Sequence, residues 1–126
     1  MTFTDAQRDY LASQPLGRLA TLAPNGTPQV KPVGFRYNED LGTIDISGFA
    51  MESSAKFRNI KVHPAVSFVV DDRPNPAAGA DGVRFLEIRG EATPATREID
   101  PADPDAGHLS SYVIRIRPVR VVAYNV

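Results

Sequence analysis

The stretch RLATLAPNGTPQV, residues 18–30, consists of two strand-like runs separated by an Asn-Gly pair at 25–26. An Asn-Gly pair between such runs is a strong short-range hairpin signal, because both central residues of a type I′ turn need a positive φ. We therefore expect strands at residues 18–23 and 28–37 that pair antiparallel.

Several further strand-like runs follow this hairpin. Residues 43–48 alternate apolar and polar side chains after a turn at 38–42, so the hairpin continues as a meander. Pro118 interrupts the last run and predicts either a bulge or a break into two strands. The remaining strands are expected at residues 66–70, 83–92 and 112–124.

Two segments have the signature of short helices. Thr4 and Gln7 form a capping box, which predicts a helix over residues 5–13. A second helix is expected over residues 53–62, because this segment opens with capping residues, lacks Gly and Pro, and stops before a His-Pro pair.

Two other segments lack a helix or strand pattern. Residues 73–82 are rich in Pro and Gly and predict a mobile loop without a helix, and residues 96–111 have turn chemistry around Asp-Pro pairs. About six antiparallel strands with only two short helices exclude a doubly wound nucleotide-binding fold. The pattern predicts a mainly β fold, a small barrel formed by one domain over residues 1–126.

The composition argues against several classes of function. The chain has 14 Lys and Arg against 15 Asp and Glu, and this net charge of −1 argues against nucleic-acid and membrane-surface binding. There is no Cys, and His63 and His108 lack metal-ligand spacing, so we expect no metal site. The N-terminus has no signal-peptide pattern and no apolar run approaches a membrane span, which predicts a cytoplasmic protein.

The segment from Ser47 to Asn59 carries the clearest chemical signal. A strand ends at a glycine, a loop follows, and a helix begins with Ser53, Ser54 and then Lys56. Free backbone N–H groups, the helix dipole, two hydroxyls and a cation together make a candidate phosphate site. The alternative is that Ser53 or Ser54 is only an N-cap and Lys56 a solvated surface charge.

The strand before this segment offers a low surface. Alternation along residues 29–36 places Val30, Pro32 and Gly34 on one face, where a flat ring could approach the backbone closely. An edge strand with a bulge at Pro32, or a tight packing contact, would explain the same residues. Together with the helix start, the low face favours a planar cofactor that carries a phosphate.

The last strand-like run has two distinct faces. Arg115 and Arg117 lie on one face, whereas Tyr112, Ile114 and Ile116 lie on the other. The pattern fits a half-exposed edge strand or, alternatively, a subunit interface that completes the burial of a small barrel.

Nearly the whole chain carries a recognisable series of motifs. They are RLATL at 18–22, Asn-Gly at 25–26, PQV at 28–30, PVGF at 32–35, Ser54-Ala55-Lys56, Arg58-Asn59, HPAV at 63–66 and IRGEA at 88–92. In this order they resemble the pyridoxamine 5′-phosphate oxidase-like split β-barrel superfamily. The motifs GFAM at 48–51, VVDD at 69–72 and IRIRP at 114–118 resemble its coenzyme F420-dependent, OxyR-type branch.

This resemblance implies a six-stranded antiparallel split β-barrel of the FMN- or F420-binding type, which forms a homodimer with a cofactor site at the interface. Ser54 and Lys56 match the Ser-x-Lys that binds the cofactor phosphate, and the ring would lie on the strand at 29–33. Arg58 and Asn59 match positions that could reach the phosphate or the polyglutamate tail of a deazaflavin. The implied cofactor-binding residues are Gln29, Val30, Lys31, Pro32, Val33, Ser47, Gly48, Met51, Ser53, Ser54, Lys56, Arg58 and Asn59.

The resemblance also implies an oxidoreductase in which reduced coenzyme F420 passes a hydride to an unsaturated or quinone-like small molecule. No catalytic side chain is identified, although Tyr37 and Arg36 are candidates for a general acid. The alternatives are an FMN-dependent oxidoreductase and a non-catalytic flavin or deazaflavin carrier. We do not expect oxidation of pyridoxamine phosphate, because the Arg-Gln pair and the Leu-Ala-Pro tail of those oxidases are missing.

Overall fold

The structure is a computed structural model that describes residues 3–126. Met1 and Thr2, the first residues used for the targeting prediction, lie outside this range. The strands in the described range are β1 (Gly17–Leu22), β2 (Pro28–Asn38), β3 (Thr43–Ser47), β4 (Ala65–Asp72), β5 (Arg84–Thr96) and β6 (Tyr112–Tyr124). They form a closed antiparallel barrel in the order β1-β2-β3-β6-β5-β4, which β4 closes by pairing with β1. The predicted mainly β, six-stranded antiparallel barrel is therefore confirmed.

The β1–β2 hairpin forms with the predicted antiparallel pairing, but its turn is not the predicted type I′ turn. Within the turn a positive φ is confined to Gly26, at 86°. The Gly26 N–H donates to the Ala23 carbonyl at 2.7 Å, and the Ala23 N–H donates to the Thr27 carbonyl at 2.9 Å. The loop therefore has three residues, in which Pro24 supplies a fixed negative φ and the glycine supplies the left-handed position.

The other strands lie close to their predicted positions. β3 ends one residue earlier than expected, at Ser47, and β4 extends beyond residues 66–70 at both ends. β5 continues to Thr96, because its second half pairs with the beginning of β6. Sequence alternation does not reveal this extension, since Pro94 lies within it.

β6 is one continuous strand, so the predicted break at Pro118 is wrong and the alternative, a bulge, is confirmed. Pro118 lies opposite Gly90 while Arg120 lies opposite the residue before Gly90, which leaves Val119 as the extra residue. A Cβ at Gly90 would lie 2.3 Å from the carbonyl oxygen of Arg117. The two strands thus approach each other closely enough that only glycine fits.

The two isoleucines of β6 belong to the core of the barrel. Ile114 and Ile116 are fully buried in the core, and β6 pairs with β3 on one side and β5 on the other. The edge-strand interpretation is therefore wrong. The core accounts for Ile114 and Ile116, whereas Tyr112 is 44% exposed, and the subunit interface stays a prediction.

Helix α1 (Asp5–Ser13) is confirmed together with its capping box. The Gln7 N–H donates to Thr4 Oγ1 at 3.1 Å, and the Thr4 N–H donates to Gln7 Oε1 at 3.0 Å. None of the helices in the described residues has the length and apolarity needed to cross a bilayer.

Helix α2 (Ala55–Val62) begins later than predicted. Ser53 belongs to a short 3₁₀ turn, Met51–Ser53, and Ser54 is the N-cap. The predicted loop at 73–82 also contains 3₁₀ turns, over Pro76–Gly82, so the expectation of no helix there is wrong. Such turns need only local hydrogen bonds and tolerate proline at their start.

A tyrosine anchors α1 to the barrel. The Tyr10 hydroxyl donates to Asp72 Oδ1 at 3.0 Å, and Arg84 donates to both oxygens of the same carboxylate at 2.8 and 2.7 Å. Burial, with the hydrogen bond to Asp72, raises the pKa of Tyr10 to about 12. The hydrogen bond from Arg84 lowers the pKa of Asp72 to about 2. The cluster thus keeps a charged pair and a neutral phenol over a wide pH range and serves as a structural anchor.

Candidate functional site

A cleft of about 340 Å³ opens between the β1–β2 hairpin and the start of α2. Lys31 lies opposite the buried Leu19, and Gln29 lies opposite the buried Thr21. Opposite residues of an antiparallel pair share a face, so Lys31 and Gln29 lie on the face toward the core. The cleft is lined by Leu19, Thr21, Gln29, Lys31, Pro32, Ser54, Ala55 and Lys56.

Five of the residues expected to bind a cofactor therefore share this cleft: Gln29, Lys31, Pro32, Ser54 and Lys56. Three further residues line the cleft that the sequence pattern did not indicate as binding residues: Leu19, Thr21 and Ala55. The hairpin register contains the signal for Thr21, because it places this residue opposite Gln29.

Ser54 is both a cap and a wall of the cleft. Its Oγ accepts a hydrogen bond from the Phe57 N–H at 3.3 Å and donates to the Met51 carbonyl at 2.7 Å. The N-cap interpretation is therefore correct for Ser54. Because the cap uses the Phe57 N–H, the backbone N–H groups of Ala55 and Lys56 remain as donors of the first turn beside the cleft.

Lys31 and Lys56 give the cleft its charge. Lys56 is half-buried, and neither lysine has a carboxylate within ion-pair distance in residues 3–126. Burial lowers the pKa of Lys56 below its ordinary value, and the positive charge of Lys31 lowers it further. Two ammonium groups that repel each other in a partly desolvated cleft make a site that favours an anion.

Asn59 holds the two walls of the cleft together. Its side chain is buried, and Nδ2 donates to Thr21 Oγ1 at 3.1 Å and to Gln29 Oε1 at 2.8 Å. Both amide hydrogens are therefore used within the protein. In this arrangement Asn59 positions α2 on the hairpin and has no free donor for a phosphate.

Two of the expected residues lie at the surface near the start of α2. Arg58 Nη1 donates to the Ser53 carbonyl at 2.6 Å, and Ser53 Oγ donates to the Ala50 carbonyl at 3.1 Å. Both side chains are exposed and neither lines the cleft. They stabilise the turn that leads into the helix.

Four of the expected residues lie away from the cleft. Met51 and Val33 are buried in the core. Ser47 lines a different cavity, and a Cβ at Gly48 would contact Met51 Cε at 3.4 Å. These residues shape the loop and the core behind the cleft.

The predicted low face exists on the outside of β2. Val30 lies opposite Ala20 and is 63% exposed, and Pro32 lies opposite Arg18 in unbroken register. β2 pairs with β1 over residues 28–33 and with β3 over residues 34–38, so Pro32 lies where the strand has a single partner, as the edge-strand alternative predicts. The unbroken register contradicts a bulge at Pro32. Close packing does account for Gly34, where a Cβ would lie 3.3 Å from Ser47 Oγ.

The two candidates for a general acid lie outside the cleft. Tyr37 is half-buried and contacts Phe3 edge-on, with ring centroids 5.3 Å apart. Arg36 is exposed. Within residues 3–126, His, Cys, Asp and Glu side chains form no group of three or more that could hold a metal ion.

Comparison with known proteins identifies the family. The model of the pyridoxamine 5′-phosphate oxidase family matches residues 3–121. The chain belongs to this family. The predicted resemblance is thereby confirmed, and it extends over the whole barrel up to the second half of β6.

The family's relatives point to reduction chemistry. The chain is 40% identical over 129 aligned positions to a 5a,11a-dehydrotetracycline/5a,11a-dehydrooxytetracycline reductase of Streptomyces rimosus, covering all of this chain and 85% of that protein. A solved F420 reductase is similar at a TM-score of 0.64 and 26% identity, covering 90% of this chain and 94% of that one. An FAD-binding protein from Mycobacterium smegmatis shares the fold at a TM-score of 0.66 and 20% identity, with 97% and 94% covered. The two reductases support an oxidoreductase, and the FAD-binding protein shows the fold alone.

Proposed function

We propose that this protein is a deazaflavin-dependent reductase, which binds coenzyme F420 and reduces an unsaturated or quinone-like small molecule. One observation carries the proposal. In a family of flavin-type oxidoreductases, Lys31 and Lys56 flank a cleft at a helix start and have no carboxylate partner in the described range. A phosphate group is the anion that such a site fits best.

The residues of the cleft fit a cofactor phosphate. Lys31 and Lys56 would neutralise it, and the free N–H groups at the start of α2 would donate to it. Asn59 would keep the lysines at a fixed separation by tying α2 to the hairpin. Pro32 both lines the cleft and belongs to the low outer face of β2, where a planar ring has room.

When bound, a reduced deazaflavin supplies the hydride for the reaction. The protein would orient the cofactor and hold the acceptor against the ring. Hydride adds to one carbon of the acceptor's double bond, and the other position takes a proton from solvent. The reaction is therefore balanced in atoms and electrons without an acidic side chain in the cleft.

The choice of F420 rests on the relatives. The solved F420 reductase and the dehydrotetracycline reductase both favour reduction of a substrate, and the latter's name places the reduced bond within a polycyclic ring system. FMN is the second candidate, because the phosphate site suits either cofactor. A carrier without turnover is the third.

We further propose that the protein is a homodimer with the cofactor at the interface. The outer face of the barrel beside the cleft has a floor of small residues, Ala20 and Ser67, between the apolar side chains of Val30 and Phe85. Val30 is exposed at this face and neighbours the cleft residues of β2. A second copy on this face would bury Val30 and cover the cofactor ring.

The cofactor proposal predicts a binding preference and a reaction. Apoprotein should bind F420 at least about tenfold more tightly than FMN in equilibrium titrations. With reduced F420, it should then reduce 5a,11a-dehydrotetracycline, followed by the return of the absorbance of oxidised F420. Tight FMN binding without measurable F420 binding would contradict the proposal, and F420 binding without turnover would favour the carrier.

The phosphate site predicts a specific effect of Lys56→Ala. Removal of a charge-assisted hydrogen bond should weaken F420 binding by about 1.5–3 kcal/mol, with little change in the free energy of unfolding. Lys61→Ala is the matched control, because Lys61 is exposed on the same helix and does not line the cleft. Titration of both variants with F420 measures the change in affinity, and thermal melting measures the change in stability. Equal affinities for the two variants would end the assignment of Lys56.

The assembly proposal predicts that Val30→Glu shifts the protein from dimer to monomer in light scattering. A carboxylate at the position of Val30 must be desolvated on association, and Arg18 on the same surface is already paired with Asp71. Leu41→Glu is the control, because Leu41 is similarly exposed, at 57% against 63%, in the turn after β2. The interface would be refuted by a wild-type monomer that binds cofactor at full affinity.

A further inference from the structure

A second, smaller cavity lies on the other side of the strand that borders the cleft. It has a volume of about 170 Å³ and lies against the outer face of β2 and β3. The segment 97–111 covers it and supplies part of its lining. The cavity is lined by Phe35, Arg36, Asp45, Ser47, Arg97 and Asp103.

Arg97 is the unusual residue of this cavity. Its Nε is buried and has no hydrogen-bond partner, and the guanidinium forms no ion pair within the described range. A buried donor without an acceptor costs free energy, and such a group needs an explanation. The position of Arg97 is fixed locally, because its backbone N–H donates to the Ser111 carbonyl at 2.8 Å.

Asp45, the buried carboxylate of the cavity, does not supply the missing acceptor. Arg115 donates to both of its oxygens at 3.1 Å, and Asn38 and Thr43 donate to it at 3.1 and 2.9 Å. Burial alone would raise the pKa of Asp45, but these hydrogen bonds lower it below its ordinary value. Asp45 is therefore charged and fully engaged by its own partners.

The second carboxylate of the cavity, Asp103, forms no ion pair in the described range and is held in a local turn. Its Oδ1 accepts the Asp105 N–H at 2.9 Å, which closes a turn in the covering segment. The segment is held over the cavity at its other end, where the Ser110 N–H donates to the Gly48 carbonyl at 2.9 Å. Arg97 and Arg36 thus line the cavity together, and within the described range neither forms an ion pair with Asp45 or Asp103.

We propose that Arg97 and Arg36 form a substrate subsite that receives a planar pair of acidic oxygens, such as a carboxylate or a delocalised enolate. The Nε edge of a guanidinium matches two coplanar oxygens, and the Ser47 hydroxyl is a further donor in the same cavity. The cavity, at about 170 Å³, has room for such a group and not for several fused rings, so the body of a polycyclic substrate would lie outside it.

The position of the subsite fits a hydride acceptor. Pro32 lines the lysine cleft, and Ser47 of the second cavity lies opposite Gly34, two residues further along β2. A planar cofactor with its phosphate in the cleft would lie between the two positive sites. The position of the cofactor between the two sites rests on the proposed function. Binding of an acidic group at Arg97 does not depend on the proposed function.

The first test follows the Arg97 Nε–Hε resonance by NMR in wild-type protein without cofactor. Benzoate is the probe, and benzamide is its neutral control of the same shape. We expect benzoate to move the resonance and slow its exchange with water, and benzamide to leave it unchanged. No response to millimolar benzoate, or the same response to both compounds, would overturn the subsite.

The second test compares Arg97→Gln with Arg120→Gln, a control at an exposed arginine outside both cavities. Arg97→Gln should raise KM for an acidic acceptor by about tenfold or more and leave F420 affinity unchanged. Weakened F420 binding would overturn the substrate assignment, because it would place a carboxylate of the cofactor at Arg97. If wild-type protein does not bind F420, the proposed function fails while the benzoate result still decides the subsite.

Discussion

The candidate site depends on one buried side chain that joins a helix to a hairpin. Asn59 donates to Thr21 and Gln29, so α2 cannot tilt away from the β1–β2 hairpin without breaking one buried and one partly buried hydrogen bond. An unsatisfied buried amide costs about 1–3 kcal/mol, which makes this contact a strong constraint. Its consequence is electrostatic, because it keeps the half-buried Lys56 beside Lys31.

Charged groups that are buried or partly buried fall into two classes in this protein. Asp45 and Asp72 each have an arginine and further hydrogen bonds, so both charges are compensated within the chain. At Lys56 and Arg97 the described range offers no carboxylate partner. Uncompensated cations next to concave surfaces are costly for stability alone, and they are explained if anionic ligands complete them.

Local sequence patterns predicted much of the fold and part of the site. The turn residues and alternation located the hairpin, and the hydroxyl-lysine spacing located the start of α2, Ser54 and Lys56. The remaining features depend on closure of the barrel, because the strand pairs β1–β4 and β3–β6 are long-range and no local pattern encodes them. For this reason Val33 and Met51 were expected at the site but lie in the core. Arg97 was not expected at a cavity, because its segment shows only turn residues in the sequence.

The most direct test of the central claim is the pKa of the Lys56 ammonium, measured by NMR in free protein and in protein saturated with F420. In the free protein, burial and Lys31 should keep this pKa below the ordinary lysine value. A phosphate bound between the lysines favours their charged forms, so the pKa of Lys56 should rise in the complex. F420 affinity should accordingly fall as the pH rises through the pKa of the free protein. A Lys56 pKa that stays unchanged while F420 is bound would contradict the account.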